Sequence, residues 1–172
     1  YEIQDLQATS AVLEWDQQVN MPPSAVEDRG EQLATLNRII HAKTTADELG
    51  KLLTDLSNAA KNMDAESDDF RLIKKAQRIF DKSSKVSEEW VAAFAKETVM
   101  AESTWEQARA NDDFELFRLH LEKVVELRRQ YADFFKPYSH IYDPMLDDFE
   151  PAMKTSEVQQ IFAALKNEQV EL

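Results

Sequence analysis

The chain has 172 residues, 43% of them hydrophobic, which is enough for a buried core and excludes a wholly disordered segment. Its 20 basic and 33 acidic residues leave a net charge of −13, a field that repels phosphate backbones and anionic lipid and argues against nucleic acid and membrane surfaces as partners. No cysteine occurs, so disulfides, thiolate metal sites and a cysteine nucleophile are excluded.

The same composition suits a cytoplasmic location. Only two glycines and five prolines are present, too few for the turns of a many-stranded fold, while Ala, Leu, Glu, Lys and Gln abound. The expected fold class is all-α. The longest strongly apolar run, Trp90 to Ala95, is too short to span a bilayer. Tyr1 is not an initiator methionine and helical pattern begins at once, so the natural chain is expected to extend upstream.

The first helix is read over Tyr1 to Val19, with Ile3, Leu6, Ser10, Leu13 and Gln17 near one stripe and Val12, Trp15 and Val19 beside it. Asn20-Met21-Pro22-Pro23 ends it, because proline pushes the preceding residue out of the helical region. Ser24 to Ala42 forms the second, opened by a capping box of Ser24 and Glu27, with Leu33, Leu36, Ile39 and Ile40 inward. Gly30 inside it is read as a close approach to the Pro22-Pro23 bend. Thr45 and Glu48 make a second capping box, before a helix carrying Leu49, Leu52, Leu53 and Leu56.

A polar stretch from Asn58 to Asp69 separates that helix from a fourth, marked by Phe70, Ile73, Ala76, Gln77 and Phe80. After Asp81 to Lys85, Ser87 caps a fifth, on which Trp90, Phe94, Ala101, Trp105 and Ala108 repeat at the helical period. From Ser87 to Ala110 it would be about 36 Å long at 1.5 Å per residue. Asp112, with Glu115 three residues on, opens the sixth, whose inner face is Phe114, Phe117, Leu121, Val124, Tyr131 and Phe135.

Lys136-Pro137 stops it, and 138–154 reads as an irregular loop carrying aromatics and acids together. Thr155 or Ser156 begins a last helix with Val158, Ile161, Phe162 and Leu165, which meets no stop signal, so the natural chain is expected to continue. About seven helices of unequal length, joined by short links, predict an antiparallel bundle in a single region, 1–172, rather than a solenoid.

Candidate chemistry is sparse. A zinc-peptidase helix needs histidines at i and i+4 with a glutamate beside the first. His41 has Thr45 at that place, His120 has Val124 and His140 has Pro144. Di-iron bundles need glutamate three residues before histidine, where Arg38, Phe117 and Pro137 stand. The acids Asp64, Glu66 and Asp68 mimic a calcium loop, but Asp69 and Lys75 occupy the places that need glycine and glutamate.

No phosphate-cradling loop can be built from Gly30 and Gly50. Trp90 and Trp105 are read as core anchors, each worth about 1.5–3 kcal/mol when buried. His120 is read as a satisfied structural histidine, and the His140 ring as a partner for Asp143 that pins the loop. No catalytic, cofactor-binding or metal-binding residue is assigned.

Three segments carry a resemblance. The run from Ala11 to Leu36, containing Trp15-Asp16-Gln17, Met21-Pro22-Pro23 and Glu27-Asp28-Arg29-Gly30-Glu31-Gln32, resembles the start of the Taq-type thermostable metallocarboxypeptidases. Ala101 to Arg109 is similar to the same family, as is Tyr142-Asp143-Pro144-Met145-Leu146-Asp147-Asp148-Phe149-Glu150-Pro151 with Thr155-Ser156-Glu157-Val158 after it. One departure is Ile141, where the family usually has proline after the histidine.

The resemblance implies the N-terminal part of a neurolysin-like helical fold and, for the parent protein, release of C-terminal residues from peptides with broad specificity. It implies zinc or cobalt held by a His-Glu-x-x-His helix and a further glutamate, and usually a homodimer. Since that motif does not occur between Tyr1 and Leu172, the chain is expected to be an inactive N-terminal fragment that binds no ion. The competing reading is a free-standing helical interaction module. A fragment is also expected to leave an apolar face open and to self-associate through it.

Overall fold

A computed structural model describes residues 1–170. The described residues are helical with no strand. In chain order they form α1 (Glu2–Val19), a 3-10 turn (Pro23–Ala25), α2 (Val26–Thr44), α3 (Asp47–Ala60), α4 (Asp68–Ser83), α5 (Glu88–Ala110), α6 (Phe114–Asp133), α7 (Asp143–Leu146) and α8 (Thr155–Val170). Seven of these are long, as the periodicity predicts. Two compact units are present, Tyr1–Val124 and Val125–Leu172, and the division falls inside α6. Among the described residues no helix is long and apolar enough to cross a membrane.

In the first unit α2 is the central rod. Gly30 lies against Lys96 and Arg38 pairs with Glu88 at 3.5 Å, so positions rising along α2 meet positions falling along α5. Asp16 pairs with Arg29 and Glu2 with Lys43 at 2.8 Å, which makes α1 antiparallel to α2 as well. Val26, Leu33 and Val99 form the buried cluster between these helices, with Leu13, Met21 and Met100 packed on it. Gly50 against Phe80 and Ser57 bonded to Gln77 set α3 antiparallel to α4.

Helix boundaries follow local chemistry, and several differ from expectation. Ser24 caps nothing. Pro22 O accepts from Ala25 N at 2.9 Å, so the prolines lead the chain into α2 through a 3-10 turn, and α2 begins at Val26 without a side-chain cap. Thr45 ends α2 instead of opening α3, its hydroxyl donating to His41 O at 2.9 Å.

Asp112 adopts φ 53 and stops α5, with Asp113 N donating to Ala108 O at 2.9 Å. The cap of α6 is therefore Asp113, whose Oδ1 accepts from Leu116 N at 3.2 Å. Ser87 does cap α5, accepting from Trp90 N at 3.2 Å, and Ser67 caps α4 in the same way. With that cap, α4 starts at Asp68, inside the stretch read as polar linker.

Gly30 meets Lys96 on α5, not the proline bend: a Cβ there would lie 3.3 Å from Lys96 Cγ, which can shift. At Gly50 a Cβ would fall 2.5 Å from Phe80 Cζ, on a ring that cannot yield without moving α4. Gly30→Ala is therefore expected to raise stability by about 0.5 kcal/mol through helix propensity. Gly50→Ala is expected to lower it by about 1–2 kcal/mol despite the same propensity gain. Urea midpoints of the two variants check the opposite signs.

Periodicity placed residues on common faces without showing which faces have a partner. Trp105 is half exposed, not a core anchor, and Phe114 and Leu121 are also exposed. Ile39, Leu52 and Leu56 lie outward too, as do Ile161, Phe162 and Leu165 on α8. Trp90 is partly buried and stacks on Phe94, with ring centroids 4.8 Å apart and planes 9° from parallel.

Candidate functional site

Three polar constellations hold side chains that sequence reading singled out. The first joins α1 to α2. Arg29 is buried, and its guanidinium donates to Leu13 O, to Asp16 Oδ2 and to Gln32 Oε1. One planar fork thus caps a backbone carbonyl of α1 and neutralises Asp16, the acid of the Trp15-Asp16 pair. Trp15 itself is exposed. The Met21-Pro22-Pro23 bend brings Arg29 back beside Asp16, which is why these segments are needed together.

The second constellation lies between α5 and α6. Glu97 is only 4% exposed. Its Oε1 meets His120 Nδ1 at 2.8 Å and its Oε2 meets Lys123 Nζ at 2.5 Å. His120 and Lys123 are three residues apart and so share one face of α6. The His120 ring thus has a carboxylate partner at Nδ1. Sequence reading missed Glu97, because a lone glutamate among apolar residues on α5 looks like a solvated face.

The third lies in the second unit. Asp143 is buried at the start of α7 and accepts from Thr155 Oγ1 at 2.7 Å, Thr155 N at 2.9 Å and His140 N at 3.2 Å. The Thr155 hydroxyl, then its amide, then the His140 amide and the nearby Lys154 charge hold the Asp143 carboxyl below the usual carboxylate range. The stretch 138–154 is therefore pinned, but by the aspartate and not by the His140 ring. That ring is exposed, and its Nδ1 accepts from Tyr142 N at 3.1 Å.

Tyr131 adds a second anchor, its hydroxyl donating to Asp148 Oδ1 at 2.8 Å. Burial, then the Asp148 contact, pushes the Tyr131 phenol well above its ordinary value. Asp147 Oδ1 accepts from Ala152 N at 2.8 Å and holds Ala152 at φ 70.

These groups do not make a metal centre. His41 sits on α2, His120 on α6 and His140 in the loop, and the carboxylate nearest His120 already carries a lysine ammonium. Among the described residues no group of three His, Asp or Glu is placed to hold an ion. The donor set that a catalytic divalent ion needs is not assembled by these side chains. What the three constellations share is structural: each ties one helix or loop to another through a buried charge.

A family model described as Carboxypeptidase Taq (M32) metallopeptidase matches residues 1–172. Thermostable carboxypeptidase 1 of Thermus thermophilus is 29% identical over 170 residues, covering 94% of this chain and 33% of that protein. Carboxypeptidase 1 of Bacillus subtilis is 28% identical over 156 residues, covering 91% of this chain and 31% of that protein.

The crystal structure of BsuCP superposes with a TM-score of 0.88 at 26% identity, covering 96% of this chain and 33% of that one. The M32 carboxypeptidase of Deinococcus radiodurans R1 gives 0.72 at 30% identity, with 99% and 34% covered. The chain spans about a third of the length of the relatives it matches. With an all-helical architecture shared with these carboxypeptidases and a family model that matches from end to end, the chain belongs to the Carboxypeptidase Taq (M32) metallopeptidase family.

Proposed function

We propose that this chain is the N-terminal scaffold of a metal-dependent carboxypeptidase that removes C-terminal residues from peptides, and that it is inactive alone. The observation that carries the reading is the end-to-end family match of a chain spanning about a third of its relatives. In this reading the ion, zinc or cobalt, and the residues that hold it belong to the remaining length of the parent enzyme, which works as a homodimer in the cytoplasm. The residues described here supply buried ion pairs that fix helices. They supply no nucleophile, general base or ion ligand.

The test is direct. The purified 172-residue chain is incubated with zinc or cobalt and an N-blocked dipeptide. The expected result is release of the C-terminal amino acid no faster than in buffer with the same ion. Release that depends on both protein and metal, and that chelation abolishes, overturns the reading.

A further inference from the structure

Within the Tyr1–Val124 unit, the stretch from Arg71 to Lys85 carries a charge opposite in sign to that of the chain. Six of the 20 Lys and Arg residues lie there, with a single acid, Asp81, among them, whereas the whole chain has a net charge of −13. On α4 itself, Arg71, Lys74, Lys75, Arg78 and Lys82 fall within about 100° of the helix circumference at 3.6 residues per turn. Ile73, Gln77 and Phe80 occupy the opposite side. There Phe80 lies against Gly50 of α3, and Gln77 accepts from the Ser57 hydroxyl at 3.1 Å. The basic face therefore points away from α3.

Two apolar side chains border that face. Leu72 is 66% exposed and Ile79 48%, and a spacing of seven places them on one stripe, about 10 Å apart along the axis. A carboxylate already reaches the face from the loop before α4, where Glu66 pairs with Arg71. Both side chains of that pair are more than half exposed, so another carboxylate can displace Glu66 at little cost. Lys74 lies over the Phe70 ring, 5.6 Å from its centroid, and Lys75 is exposed. Arg78, Lys82 and Lys85 have contacts of their own and add to the field of the face rather than to its docking points.

We propose that α4 from Arg71 to Ile79 docks an acidic segment of a partner protein. Such a segment sets carboxylates against Arg71, Lys74 and Lys75 and apolar side chains against Leu72 and Ile79. The planar arginine fork suits a carboxylate. A cationic face with an apolar border matches a polypeptide, which presents both kinds of side chain at helical spacing. An anionic membrane is a poorer match, because the apolar side of α4 is turned to α3 and leaves only Leu72 and Ile79 to enter acyl chains. A nucleic acid backbone offers those two residues nothing, and the acids elsewhere on the chain repel it. The proposal does not depend on the peptidase reading, because binding is measured without turnover.

The probe is a stapled, fluorescein-labelled helical peptide of about 12 residues with glutamates and leucines on one face. It is titrated into the 172-residue chain and read by fluorescence anisotropy. A peptide of that length spans about 18 Å, enough to reach from Arg71 to Ile79. Saturable binding that weakens as salt rises is expected, with the glutamine-for-glutamate peptide about tenfold weaker or worse. Lys74→Glu/Lys75→Glu is expected to weaken binding by about tenfold or more. Leu72→Asn is expected to weaken it by about threefold with the salt dependence unchanged.

Lys51→Glu/Lys61→Glu, the same charge change on and just after α3, is expected to stay within about twofold. Thermal melts check that each variant folds, and Lys74→Gln/Lys75→Gln serves if the double reversal does not. Absence of saturable binding, equal binding of the glutamine peptide, or equal weakening by the α3 variant overturns the proposal. So does tighter binding to phosphatidylserine vesicles or to a DNA duplex than to the peptide.

Discussion

Arg29→Ala is expected to destabilise the Tyr1–Val124 unit by about 3 kcal/mol, the low end of the range for removing one partner of a buried ion pair. The low end applies because the Asp16 side chain is 37% exposed and can turn to water once its partner is gone. Leu13 O loses its donor, and the alkyl stem of a side chain only 10% exposed leaves a void against α1. Arg29→Lys keeps the charge but cannot fork to Leu13 O, Asp16 and Gln32 together, so a loss of about 1–2 kcal/mol is expected. Urea unfolding with an unchanged slope measures both. An Arg29→Ala variant within about 0.5 kcal/mol of the parent would remove the clasp from the list of stabilising contacts.

Asp143→Ala comes next, with an expected loss of about 2–3 kcal/mol in the Val125–Leu172 unit, because two backbone amides and one hydroxyl lose a charged acceptor. Faster exchange of the Thr155 amide is the local readout. The pH dependence has a definite sign. The folded carboxyl titrates below its ordinary value of 3.8, so its contribution is complete above that pH and disappears as pH falls through the lower folded value. Asp143→Asn should flatten this acid limb. An acid limb identical in the parent and in Asp143→Asn would show that the group contributes nothing there.

The helices were legible because their cause is local. Ser87 caps α5 where a serine precedes an apolar-periodic run, and the all-α class follows from the scarcity of glycine and proline. Capping at Ser24, Thr45 and Asp112 was misread because each lies where two helices nearly touch, and a single residue can close one helix as readily as open the next. Proline geometry decided the first case, a backbone-directed threonine hydroxyl the second and a left-handed aspartate the third. Burial was harder still. Trp105 on α5 and Phe114 on α6 each belong to a hydrophobic stripe, but a stripe records only which residues face one way, and among the described residues both remain exposed.

The buried polar groups were the least legible. Glu97 shows its role only when α6 brings His120 and Lys123 to it, and Asp143 only when Thr155 arrives twelve residues later. The Trp15-Asp16 and Met21-Pro22-Pro23 strings were visible as family signatures, yet their physical reason, a shared arginine, required the fold. These charges hold helices together, and the family assignment rests on the match along the whole chain.

Cobalt binding tests that account most directly. The 172-residue chain is dialysed to equilibrium against cobalt, and the retained ion and its visible spectrum are measured. The account predicts retention far below one equivalent and no intense absorption from a four-coordinate protein site. One tightly held equivalent with such a spectrum, abolished by His120→Ala or His41→Ala, would contradict it and place an ion centre in these helices.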